Sequence, residues 1–162
     1  MLMIKRLKQL RFLRNKVVLI TGGSEGIGKA LALEAARRGA VVVVAARNQE
    51  KLQEVADRCL ILAGRPSFAF KMDVTDPDQV DEVLDQIRHQ VGEIDVLINA
   101  AGLGMMDAVV DQSYATMHKM VTVNFLAAMY LSRCVAKQMM NQGYGAIINV
   151  ASLGGKIPTP NS

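Results

Sequence analysis

Cysteine is scarce in this chain of 162 residues: Cys59 and Cys134 stand alone, far apart and without the paired spacing of a metal site. They read as free thiols buried in a reducing compartment, and a cytoplasmic location is expected. Histidine is equally scarce. His89 and His118 have no Cys or carboxylate neighbour at ligand spacing, so both read as helix-surface residues and no metal is expected. Long apolar runs are missing as well. No segment is long enough to span a bilayer, and charges interrupt the amino terminus before an apolar run of secretory length forms. Proline gathers only in "IPTP" at 157–160, and neither a repeat nor a linker is visible, so one domain is expected.

Acid is absent from the first sixteen residues, which carry Lys5, Arg6, Lys8, Arg11, Arg14 and Lys16. The other 13 basic residues face all 15 acids, which leaves the rest of the chain slightly negative. Residues 1–15 thus form a basic leader ahead of a domain at 16–162, and no nucleic-acid-binding face is indicated. Met3, Leu7, Leu10 and Leu13 recur at helical spacing among the basic residues, a pattern suited to weak contact with an anionic membrane surface. The alternative is a solvated extension, or a start codon placed too early.

What is present alternates. Apolar runs of strand length occur at 16–21, 40–46, 66–73, 94–100 and 146–152, with helical segments at about 26–38, 49–62, 77–91 and 112–142. Val41 to Val44 form an uninterrupted apolar run, as a parallel strand buried on both faces requires. The expected fold is α/β, a doubly wound parallel sheet of about five strands.

The chemistry begins at "VVLITGGSEGIGKALA", where a strand runs through glycines into a helix. Backbone N–H groups and the positive helix end hold phosphate in that setting. The glycines at 22, 23, 26 and 28 suit a turn of unusual φ, a close backbone approach to pyrophosphate and tight helix–strand packing. Gly23 to Lys29 also satisfies the spacing of a nucleoside-triphosphate loop, but Ala30 stands where that loop needs a magnesium-binding hydroxyl.

"TGGSEGIG", "NAAG" at 99–102, "VNF" at 123–125 and "IINVAS" at 147–152, in that order, resemble the short-chain dehydrogenase/reductase family over residues 15–162. The resemblance implies a nicotinamide dinucleotide held by Gly22, Ser24, Glu25, Gly26, Ile27 and Gly28. Asp73 and Val74 would border the adenine. Asn99, Ala100 and Gly102 would lie where a ribose passes, with Asn99 also tying neighbouring strands.

NAD-binding folds carry an acid at the end of the second strand for the ribose hydroxyls. Here the strand ends at Ala46-Arg47, and Arg47 suits a 2′-phosphate to which Ser24 would add a hydrogen bond. NADP(H) is therefore expected over NAD(H), with Glu25 as a mildly unfavourable neighbour. A solvated arginine opening the next helix is the alternative for Arg47.

Asn124 interrupts an apolar helical stretch and reads as a buried amide in need of partners. The resemblance implies that it bends the helix and holds a water in a proton relay; otherwise it is bonded to a neighbouring loop. Ser152 follows the fifth strand, and the resemblance gives it a hydrogen bond to a substrate carbonyl, beside a Tyr acid and a Lys four residues later. No Y-x-x-x-K occurs: Tyr114, Tyr130 and Tyr144 are followed at that distance by His118, Cys134 and Ile148. Only ten residues follow Ser152, fewer than the family uses to reach its tyrosine, so truncation is expected.

The expected function is thus that of an incomplete dinucleotide-binding domain from an oxidoreductase of carbonyls or alcohols, inactive alone. The full-length form would be a homo-oligomer. A non-catalytic dinucleotide-binding module and a structural remnant are the alternatives. The missing part should leave apolar surface and one strand edge uncovered.

Overall fold

The computed structural model describes residues 12–104 and 108–157. The first eleven residues of the leader, on which the membrane expectation chiefly rests, lie outside the described residues. Five strands run through the fold: β1 (Val17–Thr21), β2 (Val41–Ala46), β3 (Phe68–Lys71), β4 (Val96–Asn99) and β5 (Ala146–Asn149). The helices between them are α1 (Gly26–Arg37), α2 (Gln49–Ala63), α3 (Pro77–Gln90), α4 (Tyr114–Val121) and α5 (Ala127–Gln142). All strand pairs are parallel, in the order β3-β2-β1-β4-β5. This is the doubly wound arrangement expected from the alternation of apolar runs.

The apolar runs form strands because both faces of the sheet are covered. Val18, Ile20, Val42 and Val44 pack with Ala32, Ala36, Leu52 and Val55 of α1 and α2. Leu19, Val43 and Leu97 pack on the other face with Val80, Val83 and Ile87 of α3 and Leu131 and Val135 of α5. Helix starts follow local chemistry. Asn48, Asp76 and Ser113 each accept a first-turn N–H, from Lys51, Gln79 and Thr116, and Pro77 adds a preset φ after Asp76.

The single helix expected over 112–142 is divided. A π-helical turn, Thr122–Leu126, separates α4 from α5. At its start the Thr122 hydroxyl donates to the His118 carbonyl at 2.8 Å, beside the Thr122 N–H that uses the same acceptor. Such back-bonding from a side chain loosens the regular ladder.

Where strands begin, Asp95 ties β1 to β4. Its carboxylate is almost buried and accepts the Val17 N–H and the Lys16 ammonium, both at 2.8 Å. The hydrogen bond it donates to Asp95 holds the Lys16 ammonium above its ordinary pKa of 10.5, and the Tyr144 ring lies 4.4 Å from the same nitrogen.

β5 differs from the inner strands. Every residue of β1 is buried, whereas in β5 only Ile147 is partly covered, and Ile148 is 49% exposed. Val150 and Leu153 beyond it are also exposed. An apolar strand edge of this kind templates pairing with another chain. We expect the chain to self-associate as its concentration rises and Ile148→Lys to suppress this, as measured by light scattering. Equal scattering from both proteins would count against the edge as the cause.

Candidate dinucleotide site

The strand order reverses between β1 and β4, and the crevice outside their carboxyl ends is where such sheets take ligands. Thr21 closes the base of that crevice. Its buried hydroxyl accepts the N–H groups of Ala100 at 3.2 Å and Ala101 at 3.3 Å, which locks the exits of the two strands together.

The glycines that follow are required for different reasons. Gly22 has φ +65°, and a Cβ there would stand 2.7 Å from the Ala101 backbone. A Cβ on Gly23 would meet Val44 at 2.8 Å, and one on Gly28 would lie 2.2 Å from the Gly22 carbonyl oxygen. Gly26 is the opposite case. With φ +54° it has nothing within 4 Å, so its backbone borders open space. Next to it the amino end of α1 receives no hydrogen bond from a capping side chain, in contrast to α2, α3 and α4. Uncapped N–H groups beside an open glycine fit the pyrophosphate of a dinucleotide. Ile27, 63% exposed, and the half-buried Ser24 flank this opening.

Glu25 does not stand alone. Its carboxylate lies 2.8 Å from the Lys51 ammonium on the first turn of α2. Their mutual hydrogen bond holds Glu25 below the usual carboxylate range and Lys51 above the usual lysine range. Sequence reasoning missed this pair, because 26 residues separate its members and only the packing of α2 beside the glycine turn joins them.

Arg47 is exposed directly after β2. Its charge reaches Asp73, whose carboxylate accepts the Thr75 N–H at 3.0 Å and the Thr75 hydroxyl at 2.7 Å. Burial pushes the Asp73 carboxyl up, but the Thr75 bonds and the charges of Arg47 and Lys119 outweigh it and the net shift is downward. The Asp73 N–H donates to the Gln79 side chain. The carboxylate is thus occupied by its own turn, while helix capping falls to Asp76.

Asn99 is almost fully buried. Its amide nitrogen lies within hydrogen-bonding reach of Asn149 Oδ1 at 2.8 Å, Ser132 Oγ at 3.1 Å and the Ala128 carbonyl at 3.4 Å. It therefore ties β4 to β5 and α5, while its own Oδ1 is buried without a partner. Thr21, Val74, Asn99 and Ala101 share a small cleft. Ala100 is half-buried and Gly102 exposed.

Asn124 corrects one expectation. Its amide is not buried but exposed, because its apolar neighbours Val121, Phe125 and Leu126 are themselves exposed and build no core around it. It sits in the π-helical turn and makes a two-point clamp on one backbone unit. Oδ1 accepts the Leu103 N–H at 2.7 Å and Nδ2 donates to the Leu103 carbonyl at 2.8 Å. Asn124→Ala should therefore speed exchange of the Leu103 amide by tenfold or more, about the loss of one hydrogen bond. Hydrogen–deuterium exchange reads this directly, and an unchanged Leu103 would remove the clamp from consideration.

Ser152 lies beyond β5 at the same sheet edge. The Val150 N–H donates to the Asn99 carbonyl at 2.9 Å, which keeps this segment beside β4. The Ser152 hydroxyl accepts the Gly154 N–H at 3.1 Å and is otherwise exposed. Tyr130 donates its hydroxyl to Asp81 at 2.9 Å, and that bond with burial pushes it up to about 12. Among the described residues no three His, Cys, Asp or Glu side chains cluster as metal ligands, and no helix is long and apolar enough to cross a membrane.

The sequence profile of the short chain dehydrogenases matches residues 16–162. The chain belongs to that family. A relative that aligns with it is the Nostoc protein named ketoacyl reductase HetN, 38% identical over 144 residues, or 89% of this chain and 50% of the relative. An uncharacterized oxidoreductase of Staphylococcus saprophyticus is 34% identical over 88% of this chain and 61% of its own length. The chain therefore spans between half and two thirds of these curated relatives. Among solved structures, a short-chain dehydrogenase/reductase from Mycobacterium marinum superposes with a TM-score of 0.88 at 37% identity, covering 94% of this chain and 62% of the other. Two further structural neighbours hold different cofactors. One is an NAD+-bound xylitol dehydrogenase, at a TM-score of 0.88 with 31% identity over 93% of this chain and 58% of that one. The other is the F189W actinorhodin polyketide ketoreductase with NADPH, at 0.85 with 28% identity over 91% and 57%. Family membership thus carries nicotinamide chemistry without choosing between the two dinucleotides.

Proposed function

We propose that this chain carries the dinucleotide-binding part of an NADP(H)-dependent oxidoreductase that interconverts a carbonyl and an alcohol. The observation that carries this reading is the glycine turn, closed to any side chain at Gly22 and Gly28 and open at Gly26, at the point where the strand order reverses. When bound, the nicotinamide supplies hydride transfer.

Gly22, Ser24, Gly26, Ile27 and Gly28 would hold the pyrophosphate side, Asp73 and Val74 the adenine, and Asn99, Ala100 and Gly102 the ribose near the nicotinamide. The preference for NADP(H) rests on charge. No acid ends β2, Arg47 is exposed and in no ion pair among the described residues, and Lys51 neutralises Glu25, the one nearby carboxylate on the glycine turn. Ser152 would donate its hydroxyl to the substrate oxygen, and Asn124 would hold the loop at Leu103 beside it. Proton delivery needs a Tyr and Lys that the chain does not contain in the family spacing, so it binds cofactor without turnover. The complete enzyme is read as a cytoplasmic homo-oligomer.

The test is titration of the chain into NADPH and NADH, followed by nicotinamide fluorescence. NADPH should bind at least about tenfold tighter, with Arg47→Ala removing most of that margin, as loss of a charge-assisted contact does. Equal affinities in the parent chain would overturn the NADP(H) assignment, and no binding of either would overturn the dinucleotide reading itself.

A further inference from the structure

A surface patch at the end of the sheet remote from the glycine turn is not used by any of this chemistry. Residues 1–16 and 58–72, like several other stretches of the sequence, contain no acid. The fold brings them to one edge. In a parallel sheet β1 and β3 begin on the same side, so the residues just before Val17 and just before Phe68 both lie at the amino edge. Packing joins them more closely, because Leu13 and Ala63 both pack against the cluster that contains Cys59 of α2.

The residues left outside are apolar and basic together. Phe12 is 77% exposed and Ile61 81%, with Leu60 and Leu62 about half as exposed beside it. Arg14 and Arg58 are exposed among them, and Arg65 is half-buried beside them. At the same edge Arg37 and Arg38, at the end of α1, pair with Glu34 at 3.6 and 2.8 Å. The patch belongs to the β3 half of the sheet, whereas the uncovered strand is β5 at the opposite side. The sequence preceding Phe12 continues the same composition, with Lys5, Arg6, Lys8 and Arg11 among Met3, Ile4, Leu7 and Leu10.

We propose that this amino edge docks on an anionic lipid surface, with Phe12 and Ile61 entering the interface and Arg14, Arg58 and Arg65 meeting lipid phosphates. Charge complementarity decides the occupant. A second copy would set the same cationic patch against itself, and a nucleic acid would leave Phe12 and Ile61 without a role. A bilayer with acidic headgroups takes both kinds of residue at once. Docking through this edge leaves the crevice at the carboxyl edge free, so the inference stands or falls independently of the cofactor reading.

The experiment is co-sedimentation of the pre-cleared chain with vesicles of phosphatidylcholine, with and without phosphatidylglycerol, at low and high salt. The chain should partition at least about tenfold more onto the phosphatidylglycerol vesicles and be released by salt. Ile61→Glu and Arg58→Glu, both at exposed positions, should each reduce that partition by about fivefold or more while leaving the thermal transition unchanged. Equal binding to both vesicles, or no binding to either, overturns the proposal. Unchanged binding by Ile61→Glu overturns the placement of the patch, and binding to duplex DNA as strong as to the anionic vesicles would reassign it to nucleic acid. If Ile61→Glu instead abolishes self-association in the absence of vesicles, the occupant is a second copy.

Discussion

Gly28→Ala is expected to lower the stability of the chain by about 1 to 3 kcal/mol and to weaken NADPH binding by at least about tenfold. The added methyl would stand 2.2 Å from the Gly22 carbonyl oxygen, and that neighbour is backbone in a turn already at φ +65°. It has no flexible end to move aside. The shift must pass to the turn itself, so the groups that would meet a pyrophosphate move with it. Gly26→Ala is the informative contrast. It meets no atom within 4 Å, so its cost is the strain of φ +54° alone, about 1 kcal/mol. Thermal unfolding should separate the two by several degrees for a chain of this size. Unaltered melting and NADPH affinity in Gly28→Ala would sink the close-packed turn as the basis of the site.

Asp95→Ala should be strongly destabilising, at about 2 to 4 kcal/mol. It deletes the acceptor of the Val17 N–H at the start of a fully buried strand and leaves the Lys16 ammonium without its partner. Asp95→Asn keeps one oxygen for the Val17 N–H and should cost roughly half as much. Urea denaturation of the two variants measures the difference, and equal losses would show that the backbone bond contributes little. The pH dependence has a definite sign. The Lys16 pKa is raised in the folded chain, so its contribution is complete below the ordinary value of 10.5 and is lost as pH climbs through the folded value. The Lys16 ammonium therefore predicts weakening in strongly alkaline solution.

The elements legible in the sequence were those whose signal is local. Val41 to Val44 announce a strand buried on both faces, and Asp76 followed by Pro77 announces a helix start, because each depends on neighbours a few residues away. The glycine turn is legible for the same reason. The break at Thr122–Leu126 is not legible in periodicity, since those residues suit a helix; only the family resemblance implied a bend at Asn124, and the wider turn coincides with a clamp on Leu103, 21 residues earlier. Asn124 was read as buried because its neighbours are apolar, yet apolar neighbours imply burial only where something packs on them. The Glu25–Lys51 pair and the bonds of Asn99 to Ser132 and Asn149 depend on how elements distant in sequence lie side by side. Periodicity carries no information on them.

The strand order also bears on how the chain assembles. β1, β2 and β3 are consecutive both in sequence and in space, whereas β4 must return past them to pair with β1, and Asp95 meets Val17 across 78 positions. Contacts between near neighbours form before those that close long loops. On a ribosome the β1–α1–β2–α2–β3 unit emerges before β4 does, so it has time to organise first. The glycine turn would then be shaped before Ala100 and Ala101 arrive to close over Gly22, and the crevice would be the last part of the sheet to be finished.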